Sequence, residues 1–521
     1  MFTRKLNVLI TIICISIACF LPVISAAEES NEKVVITILT VNDFHGALSE
    51  GGKNPGMAKL AAFLKEEVAK NPAGTIIVSA GDMFQGTPES NMLYGKPVVE
   101  AMNELGFLAM AIGNHEFDWG IQVLKERIAQ SKFPYLAANI IDKATGRVVS
   151  FVKPYTLVEK NGVKIAIIGL ATPETAYKTN PKYSRNYNFV NPAQIVTQLL
   201  PELKQQGADI IIVLSHLGSA VEPLTQQVTG EAADLAREVP AIGAIISGHT
   251  HMKVAGEVNS VPIIQAAYNG RAVGKLAFTF SKNNREVVTV ASDVTELAVD
   301  KLVADPAVQE IVDKVQEEIA PVKNKVLGQA VNEMHHEKFT HSVLGQWVTD
   351  SMRHRVKADI AFENGGGLRT SIPAGTITLG NLYQVVPFDN TLITVDLTGQ
   401  QVMAVLEHGI YNKQIGMLQF SGLIVEYDES LPDGKKLAKV TLNDGSNLSL
   451  TKTYKVVTND FLAQGGDGFT MFSQGKHQSD TQIPLRDCLI EAITKTKIIN
   501  ATVDSRFKEV IPVSTVNRRA S

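Results

Sequence analysis

The sequence predicts a layered α/β protein with a second, smaller α/β domain. The chain has 521 residues, which is too long for one ordinary hydrophobic core. Short β-branched runs alternate with amphipathic or polar segments in both halves, and a charged helical pattern separates the halves. The 45% hydrophobic and 20% charged content is typical of a globular chain that can bury large cores.

The first 27 residues have the pattern of a secretory signal peptide. Arg4 and Lys5 precede the apolar run Leu6 to Val23, and small residues and an acidic start follow. The alternatives are an uncleaved membrane anchor and lipidation at Cys19, and the small residues favour cleavage over both. We therefore expect an exported protein, periplasmic, cell-surface or secreted, with no membrane span after cleavage.

Charge and cysteine content limit the partners and the means of stabilisation. The formal net charge of −4 gives no sign of a strongly basic surface, which argues against a nucleic acid polymer as partner. Of three cysteines, only Cys488 follows the predicted signal peptide, so we expect no internal disulfide. The oligomeric state is left open by the sequence.

Six β-branched runs predict the strands of a first domain over residues 34–300. They are Val34 to Val41, Thr75 to Ser79, Leu108 to Ile112, Lys164 to Gly169, Asp209 to Leu214 and Ala244 to Ser247. Polar or metal-binding residues follow five of the six runs. Because open α/β sheets bind ligands beyond the carboxyl ends of their strands, we expect these residues to meet at one edge.

The residues after these runs form a set of seven potential metal donors. They are Asp43, His45, Asp82, Asn114, His216, His249 and His251. Each alone has an ordinary interpretation, because Gly-Asp is usually a turn and a single histidine is usually a surface residue. Ordinary turns do not explain why donors follow five separate runs. In an extended segment, side chains at positions i and i+2 point to the same side, so Asp43 and His45 can face one ion together.

Seven donors are more than one four-coordinate ion uses, so we predict two divalent ions that share one carboxylate. Mixed imidazole and carboxylate donors suit zinc, manganese or iron better than calcium or magnesium. Two such ions, roughly 3.5–4 Å apart, stabilise the attacking and leaving oxygens at phosphorus. The donor set therefore predicts hydrolysis of a phosphate ester.

His115 and Asp118 suggest an acid–base pair beside these donors. With Asn114 committed to metal, His115 is free to face a substrate, and Asp118 would hold its second ring nitrogen and favour the imidazolium. Such a pair stabilises charge on the transferring phosphoryl group or protonates the leaving oxygen. The alternative is that His115 is an additional metal ligand.

These motifs, in this order, resemble the calcineurin-type metallophosphoesterase signature. Val41-Asn42-Asp43-Phe44-His45-Gly46 and Gly113-Asn114-His115-Glu116-Phe117-Asp118 resemble more narrowly the secreted 5′-nucleotidase family, which includes the periplasmic UDP-sugar hydrolases. The resemblance implies that Asp43, His45 and His251 bind one ion. It implies that Asn114, His216 and His249 bind the other, that Asp82 bridges, and that His115 and Asp118 form the catalytic pair. Some members have Gln at the position of His251.

A helix over Pro306 to Glu318, ended by Pro321, is the predicted connection, and we place it within a linker at residues 301–325. The second domain is predicted over residues 326–521. Its predicted strands are Ile360 to Phe362, Leu392 to Leu397, Leu423 to Tyr427 and Tyr454 to Thr458. Its predicted helices are Leu344 to Arg355 and Gln400 to Tyr411. Chemistry in one domain and recognition in the other imply a hinge between them.

Two glycine clusters in the second domain are either tight turns or sites where the backbone closely approaches a ligand. They are Asn364-Gly365-Gly366-Gly367-Leu368-Arg369 and Gly465-Gly466-Asp467-Gly468-Phe469. They resemble the substrate-binding motifs of the same family. The resemblance implies that Arg369 holds phosphate, that Phe388 and Phe461 enclose the nucleobase, and that Asn364, Asn390 and Asp467 bond base or ribose. Without it, both phenylalanines would be assigned to the core.

The chain departs from the family upstream of the triple glycine. Members that cleave 5′-monophosphates tend to have further arginines where this chain has Met334 and Lys338. Lys338 keeps a positive charge for the substrate but loses the bidentate geometry of arginine. The preferred substrate is therefore open between 5′-monophosphates, UDP-sugars and 2′,3′-cyclic nucleotides, and a non-catalytic surface binding protein is the alternative of another class.

Overall fold

The structure, a computed structural model, describes residues 32–432 and 434–510. The predicted signal peptide, with Cys14 and Cys19, lies outside these residues. Cys488 is a buried free cysteine. No helix within the described ranges is both long and apolar enough to cross a bilayer.

Two six-stranded sheets form the first domain. In spatial order, the first sheet contains Glu286–Glu296, Ala272–Ser281, Lys33–Val41, Thr75–Ser79, Ala109–Ala111 and Tyr135–Leu136. The second contains Lys253–Val258, Val261–Ala266, Ala244–Gly248, Ile210–Gly218, Val163–Leu170 and Tyr155–Lys160. The central strands of both sheets run parallel.

One hydrophobic core lies between the two sheets. Ile38 and Val78 from the first sheet share a buried cluster with Ile167, Ile212 and Ile246 from the second. Parallel strands that are covered on both faces have nearly continuous apolar sequences, and Thr75–Ser79 is buried at all five positions. The layered fold that the sequence predicts is confirmed.

Helices and short strands complete this domain. The helices are Gly56–Lys70, Pro88–Asn91, Lys96–Glu104, Gly120–Gln130, Thr175–Lys178, Pro181–Ser184, Pro192–Gln205 and Glu231–Glu238, with 3₁₀ turns at His115–Phe117 and Val299–Lys301. Two small ribbons pair Ile140–Asp142 with Tyr187–Phe189, and Ala220–Val221 with Val228–Thr229.

The predicted connecting helix spans Pro306–Lys323 and belongs to the core of the first domain. The side chain of Asp305 caps it by accepting a 3.1 Å hydrogen bond from the Val308 N–H. Val308, Val312 and Val315 are buried in a core cluster of the first domain. The prediction that Pro321 ends this helix is wrong. Pro321 lies two residues before the helix ends, so its missing N–H removes only one late intrahelical bond.

Three sheets form the second domain. A five-stranded sheet contains Leu418–Ser421, Ile360–Asn364, Thr453–Asn459, Thr391–Thr398 and Lys476–Pro484. Two three-stranded sheets contain Gly375–Thr378, Val326–Ala330 and Ile498–Ile499, and Leu437–Leu442, Leu423–Tyr427 and Phe507–Glu509. The helices are Val343–Val356, Leu379–Val385, Gly399–Gly409, Asp460–Ala463 and Leu485–Thr496, with 3₁₀ turns at Gly365–Gly367, Gly466–Gly468 and Phe472–Gln474.

The fifth predicted strand of the first domain is longer than expected. The sequence predicts that it ends at Leu214, before His216, whereas the strand spans Ile210–Gly218. His216 is therefore part of a buried strand rather than of the loop after it. The extension pairs with the neighbouring strand through an irregularity, because Ile246 aligns with Leu214 but Gly248 aligns with Gly218.

Candidate metal centre and substrate cleft

Six of the seven predicted donors form two compact clusters at the carboxyl ends of the central strands. One cluster contains Asp43, His45 and His251, and the other contains Asp82, His216 and His249. Within each cluster, one potential ligand atom from every residue lies within 4.8 Å of the others. The seventh donor, Asn114, adjoins the second cluster, because its Oδ1 is 3.0 Å from His249 Nδ1. All seven predicted donors are therefore brought together.

The loops that carry these donors are not extended. Asp43 and His45 have φ values of 48° and 50°, and Asp82, His249 and His251 have φ values of 54°, 74° and 58°. The expectation that Asp43 and His45 face one side through an extended segment is therefore wrong in its geometry, although the two residues do share a cluster. Left-handed conformations cost non-glycine residues about 1–3 kcal/mol each and concentrate at functional sites.

Hydrogen bonds on the outer side of the rings leave nitrogen lone pairs facing inward. The Nδ1 atoms of His45 and His216 lie 2.9 and 2.7 Å from the carbonyl oxygens of Gln85 and Ala80, to which they donate. Nε2 of each ring faces its cluster, and in the neutral ring it has the lone pair that can bind a metal ion. This is the arrangement in which histidines bind metal in proteins, with the second nitrogen held by a carbonyl or carboxylate.

The inward-facing atoms are suited to bind cations. Nε2 of His45 and Nε2 of His251 face each other at 2.9 Å, and burial lowers the pKa of His45 to about 3 and that of His251 well below its ordinary value. His216 Nε2 is buried without a hydrogen-bond partner in the part of the chain that the structure describes, although Asp82 Oδ2 is only 2.9 Å away. Imidazole nitrogens and carboxylate oxygens gathered at these distances suit two divalent ions, so the donor set fits the predicted metals.

Glu116 fixes the loops that carry Asp82 and Asn114. Its carboxylate accepts hydrogen bonds from the backbone N–H groups of Asp82 and Met83, both at 2.9 Å, and of Gly113 at 2.7 Å. Burial is the first of the causes that raise the pKa of Glu116 to about 7. The sequence motif contains Glu116 but did not suggest this structural role.

His115 and Asp118 form the predicted pair. His115 Nδ1 is 2.6 Å from Asp118 Oδ2, and the backbone N–H of His115 donates to Asp82 Oδ1 at 2.8 Å. Burial lowers the pKa of His115, but the Asp118 and Asp82 carboxylates outweigh it and the net pKa is above its ordinary value. The geometry thus favours a protonated imidazole beside the donor clusters.

Two residues that the sequence interpretation missed hold functional side chains from behind. Glu174 Oε2 lies 3.0 Å from His249 Nε2, and the hydroxyl of Thr179 donates to Asp118 Oδ1 at 2.9 Å. Both follow the strand Val163–Leu170, the one predicted run to which no donor was assigned. The rule that placed the other donors after strand ends would have identified this segment too.

A cleft of about 500 Å³ connects the donor clusters to the second domain. Its walls include every predicted substrate residue, namely Lys338, Asn364, Arg369, Phe388, Asn390, Phe461 and Asp467. The Phe388 ring stacks on His115 with centroids 5.7 Å apart, and the Arg369 guanidinium carbon is 5.9 Å from the Phe388 centroid. Phe388 and Phe461 are half-buried at the cleft wall rather than in the core.

The residues that depart from the family pattern lie in different environments. Met334 is buried in the core of the second domain with 1% of its surface exposed, so it does not face the cleft. Lys338 does line the cleft. Desolvation there, followed by the charges of Arg369 and Lys178, lowers the pKa of Lys338 to about 8. Cations therefore crowd this wall of the cleft.

The triple glycine packs against the protein itself. A Cβ at Gly365 would lie 2.5 Å from the carbonyl oxygens of Lys338 and Met417, and one at Gly367 would lie 2.5 Å from Glu363 Oε1. Any side chain at either position would force these groups apart. The glycines thus allow Asn364 and Arg369 to project from a tightly packed turn.

Glu363, beneath this turn, gives a test by pH. It is fully buried, the Asn459 amide donates to it, and burial raises its pKa to about 8 from 4.5. Between these values the unfolded chain has lost the proton that the folded chain keeps, so this group's contribution to stability falls as pH rises from about 4.5 to about 8. Over this pH range the parent should lose about 4 kcal/mol of unfolding free energy through Glu363. Glu363→Gln, which cannot ionise, should not show this loss.

The measurement for Glu363 is urea denaturation at pH 5 and pH 9. The parent midpoint should fall more between these pH values than the midpoint of Glu363→Gln. The exposed Glu333→Gln is the matched control and should follow the parent. Equal pH dependence in Glu363→Gln and the parent would contradict the buried, protonated carboxyl.

Two family models match the chain, one in each half. The calcineurin-like phosphoesterase model matches residues 36–253, and the model of the 5′-nucleotidase C-terminal domain matches residues 319–474. The 5′-nucleotidase of Vibrio cholerae is 30% identical over an alignment of 489 positions, which covers 85% of this chain and 87% of that protein. The chain belongs to the 5′-nucleotidase family.

Some relatives are much longer than this chain, whereas others match it over their full length. Endonuclease YhcR of Bacillus subtilis is 30% identical over 465 residues, which cover 83% of this chain but only 37% of that protein. The crystal structure of a 5′-nucleotidase precursor from Thermus thermophilus superimposes with a TM-score of 0.79 at 29% identity, and the match covers 92% of this chain and all of that one. The two-domain architecture of the family is therefore common to both.

Proposed function

We propose that this protein is an exported, metal-dependent phosphohydrolase that releases phosphate from nucleotides, with 5′-nucleotidase activity and UDP-sugars as further substrates. One observation carries the proposal. The cleft is lined by His251 of one donor cluster and Asp82 and His249 of the other, and by the His115–Asp118 pair, Arg369 and the two phenylalanines. A binding protein without turnover has no need of an acid–base pair beside the metal donors.

The side chains suit distinct tasks in this reaction. The two clusters, with Asp82 common to the site and Asn114 beside His249, would hold two divalent ions, and these would supply activation of water and neutralisation of phosphate charge. The Arg369 guanidinium has the fork geometry that matches phosphate oxygens. Phe388 and Phe461 offer flat apolar faces for a nucleobase. His115, whose pKa Asp118 and Asp82 raise against the effect of burial, would stabilise charge on the phosphoryl group or donate a proton to the leaving oxygen.

The substrate is tested by a panel of four nucleotides. Purified protein is incubated with 5′-AMP, 3′-AMP, 2′,3′-cyclic AMP or UDP-glucose in the presence of zinc, manganese or iron(II), and the products are separated by chromatography. We expect 5′-AMP to be cleaved with the highest kcat/KM and UDP-glucose to be cleaved as well. Preference for 2′,3′-cyclic AMP and 3′-AMP would instead establish the cyclic phosphodiesterase and 3′-nucleotidase. Binding without turnover of any of them would support the surface binding protein.

Arg369→Ala tests the phosphate contact. We expect KM for 5′-AMP to rise about tenfold, because one charge-assisted bidentate contact is lost. Inhibition by adenosine, which has no phosphate, should be unchanged. Thr370→Ala, at the adjacent exposed residue, is the matched control. Equal weakening of adenosine and 5′-AMP would mean that Arg369 shapes the cleft rather than binding phosphate.

A further inference from the structure

A short segment of the first domain touches both the catalytic residues and the second domain. It comprises residues 174–182, and we call it the bridging segment. It contains the helix Thr175–Lys178 and the start of the helix Pro181–Ser184. None of the sequence motifs includes it, although it lines the cleft.

Its inward contacts reach two groups of the proposed catalytic centre. Glu174 holds His249 Nε2 at 3.0 Å, while the other nitrogen of that ring faces Asn114. Thr179, with 2% of its surface exposed, donates to the Asp118 oxygen that does not contact His115. The bridging segment therefore supports a metal donor and the acid–base pair from their far sides.

Its outward contacts reach the loop that carries the proposed nucleoside pocket. Asn180 and Lys182 donate to one oxygen of Asp460 at 2.7 and 3.0 Å. Lys178 is 3.1 Å from Asp467. Asp460 begins the helix Asp460–Ala463, whose second residue is Phe461, so the residues that would enclose the base and those that orient the catalytic pair meet through this segment.

The Asp460 contacts depend on the two domains being together. Asp460 is 3% exposed, and within its own domain it accepts a hydrogen bond from the backbone N–H of Thr391 at 3.3 Å. Its charged partner, Lys182, comes from the first domain. A buried carboxylate that loses such partners is costly, so Asp460 favours the arrangement in which the bridging segment is docked.

We propose that the bridging segment couples contact between the domains to the orientation of the catalytic pair, with Thr179 and Glu174 as positioning residues. Docking of Asn180 and Lys182 on Asp460 fixes the segment, and the fixed segment presents the Thr179 hydroxyl to Asp118 and the Glu174 carboxylate to His249. The proposal rests on the phosphohydrolase function above. Substrate that brings the pocket loop onto the first domain would thus also complete the support of Asp118.

A double-mutant cycle tests the coupling. Lys182→Met removes the charged contact with Asp460, and Thr179→Val removes the hydroxyl with little change of shape. We expect each to lower kcat for 5′-AMP about tenfold, and the double variant to be no more than about twice as slow as the slower single variant, because both break one chain of contacts. Independent effects would multiply to about a hundredfold. That result, or unchanged kcat in either single variant, would overturn the proposal.

Further measurements separate positioning from loss of structure. Thr179→Ser keeps the hydroxyl and should restore kcat, and the metal content of all variants should equal that of the parent. By small-angle scattering with adenosine bound, Lys182→Met should have a larger radius of gyration than the parent, while Thr179→Val should not. Lys204→Met, an exposed lysine on the helix Pro192–Gln205, is the matched control. A parent without activity on any nucleotide would refute the proposed function; an active parent with multiplicative effects would refute the coupling alone.

Discussion

Asp82→Asn should lower kcat for phosphate release about 10³-fold or more and reduce the bound metal from two equivalents to one or none. Asp82 is the carboxylate proposed to lie between both ions, and it is 2.9 Å from His216 Nε2. Asparagine keeps an oxygen for the His115 backbone N–H, which now donates to Asp82 Oδ1 at 2.8 Å. The change therefore removes negative charge with little change of shape, and several kcal/mol of transition-state stabilisation depend on the metal pair.

Metal analysis by plasma mass spectrometry and kcat for 5′-AMP measure this prediction together. Asp234→Asn, at an exposed position of the helix Glu231–Glu238, is the matched control and should retain both metals and full activity. Chelation of the parent should reproduce the inactivity of Asp82→Asn, and added metal should restore only the parent. Activity that survives both chelation and Asp82→Asn would refute the metal mechanism.

His115→Asn should lower kcat by about 10²–10⁴-fold while both metal equivalents remain, because general acid–base catalysis contributes on this scale. The asparagine amide can replace His115 Nδ1 as the group that donates to Asp118, so the pair's packing is retained. Burial lowers the pKa of His115, but the Asp118 and Asp82 carboxylates raise it overall, which suits a group that donates a proton.

The metal content of His115→Asn decides between two roles. If His115 were an additional ligand, the variant would lose metal and excess metal would restore part of its activity. If it acts on the phosphoryl group or the leaving oxygen, metal content is unchanged and added metal has no effect. If His115 protonates the leaving oxygen, His115→Asn should slow the hydrolysis of a substrate with a better leaving group, such as p-nitrophenyl phosphate, less than it slows the hydrolysis of 5′-AMP.

Much of the first domain was predictable because strand runs in covered parallel sheets are nearly continuous in apolar residues. Thr75–Ser79 has the predicted bounds, and Lys33–Val41 differs from its prediction by one residue. The strand Ile210–Gly218 was predicted too short, because polar Ser215 and His216 look like a strand end. They are tolerated inside because Ser215 donates to Ile246 O and His216 donates to Ala80 O.

The sequence predicted which residues of the candidate site are metal donors, but not which residues hold those donors in place. The donors are histidine, aspartate and asparagine side chains after strand ends, and these can be identified in the sequence directly. Glu174 and Thr179 follow a strand as well, but the strand-end rule marks only their segment, because an acidic residue and a threonine after a strand are ordinary turn residues. Their contacts with His249 and Asp118 span 75 and 61 residues, which no local pattern encodes.

The succession of strands along the chain, and the donors that follow them, were determined by the sequence alone. This is because the alternation of apolar runs and turns is a local property of the chain. The tertiary structure decided which donors share a cluster, since that depends on how two sheets approach each other at one edge. It also decided that Asp43 and His45 reach their cluster through left-handed residues. Such conformations are unfavourable locally and persist only because the packed loops around them permit no other path.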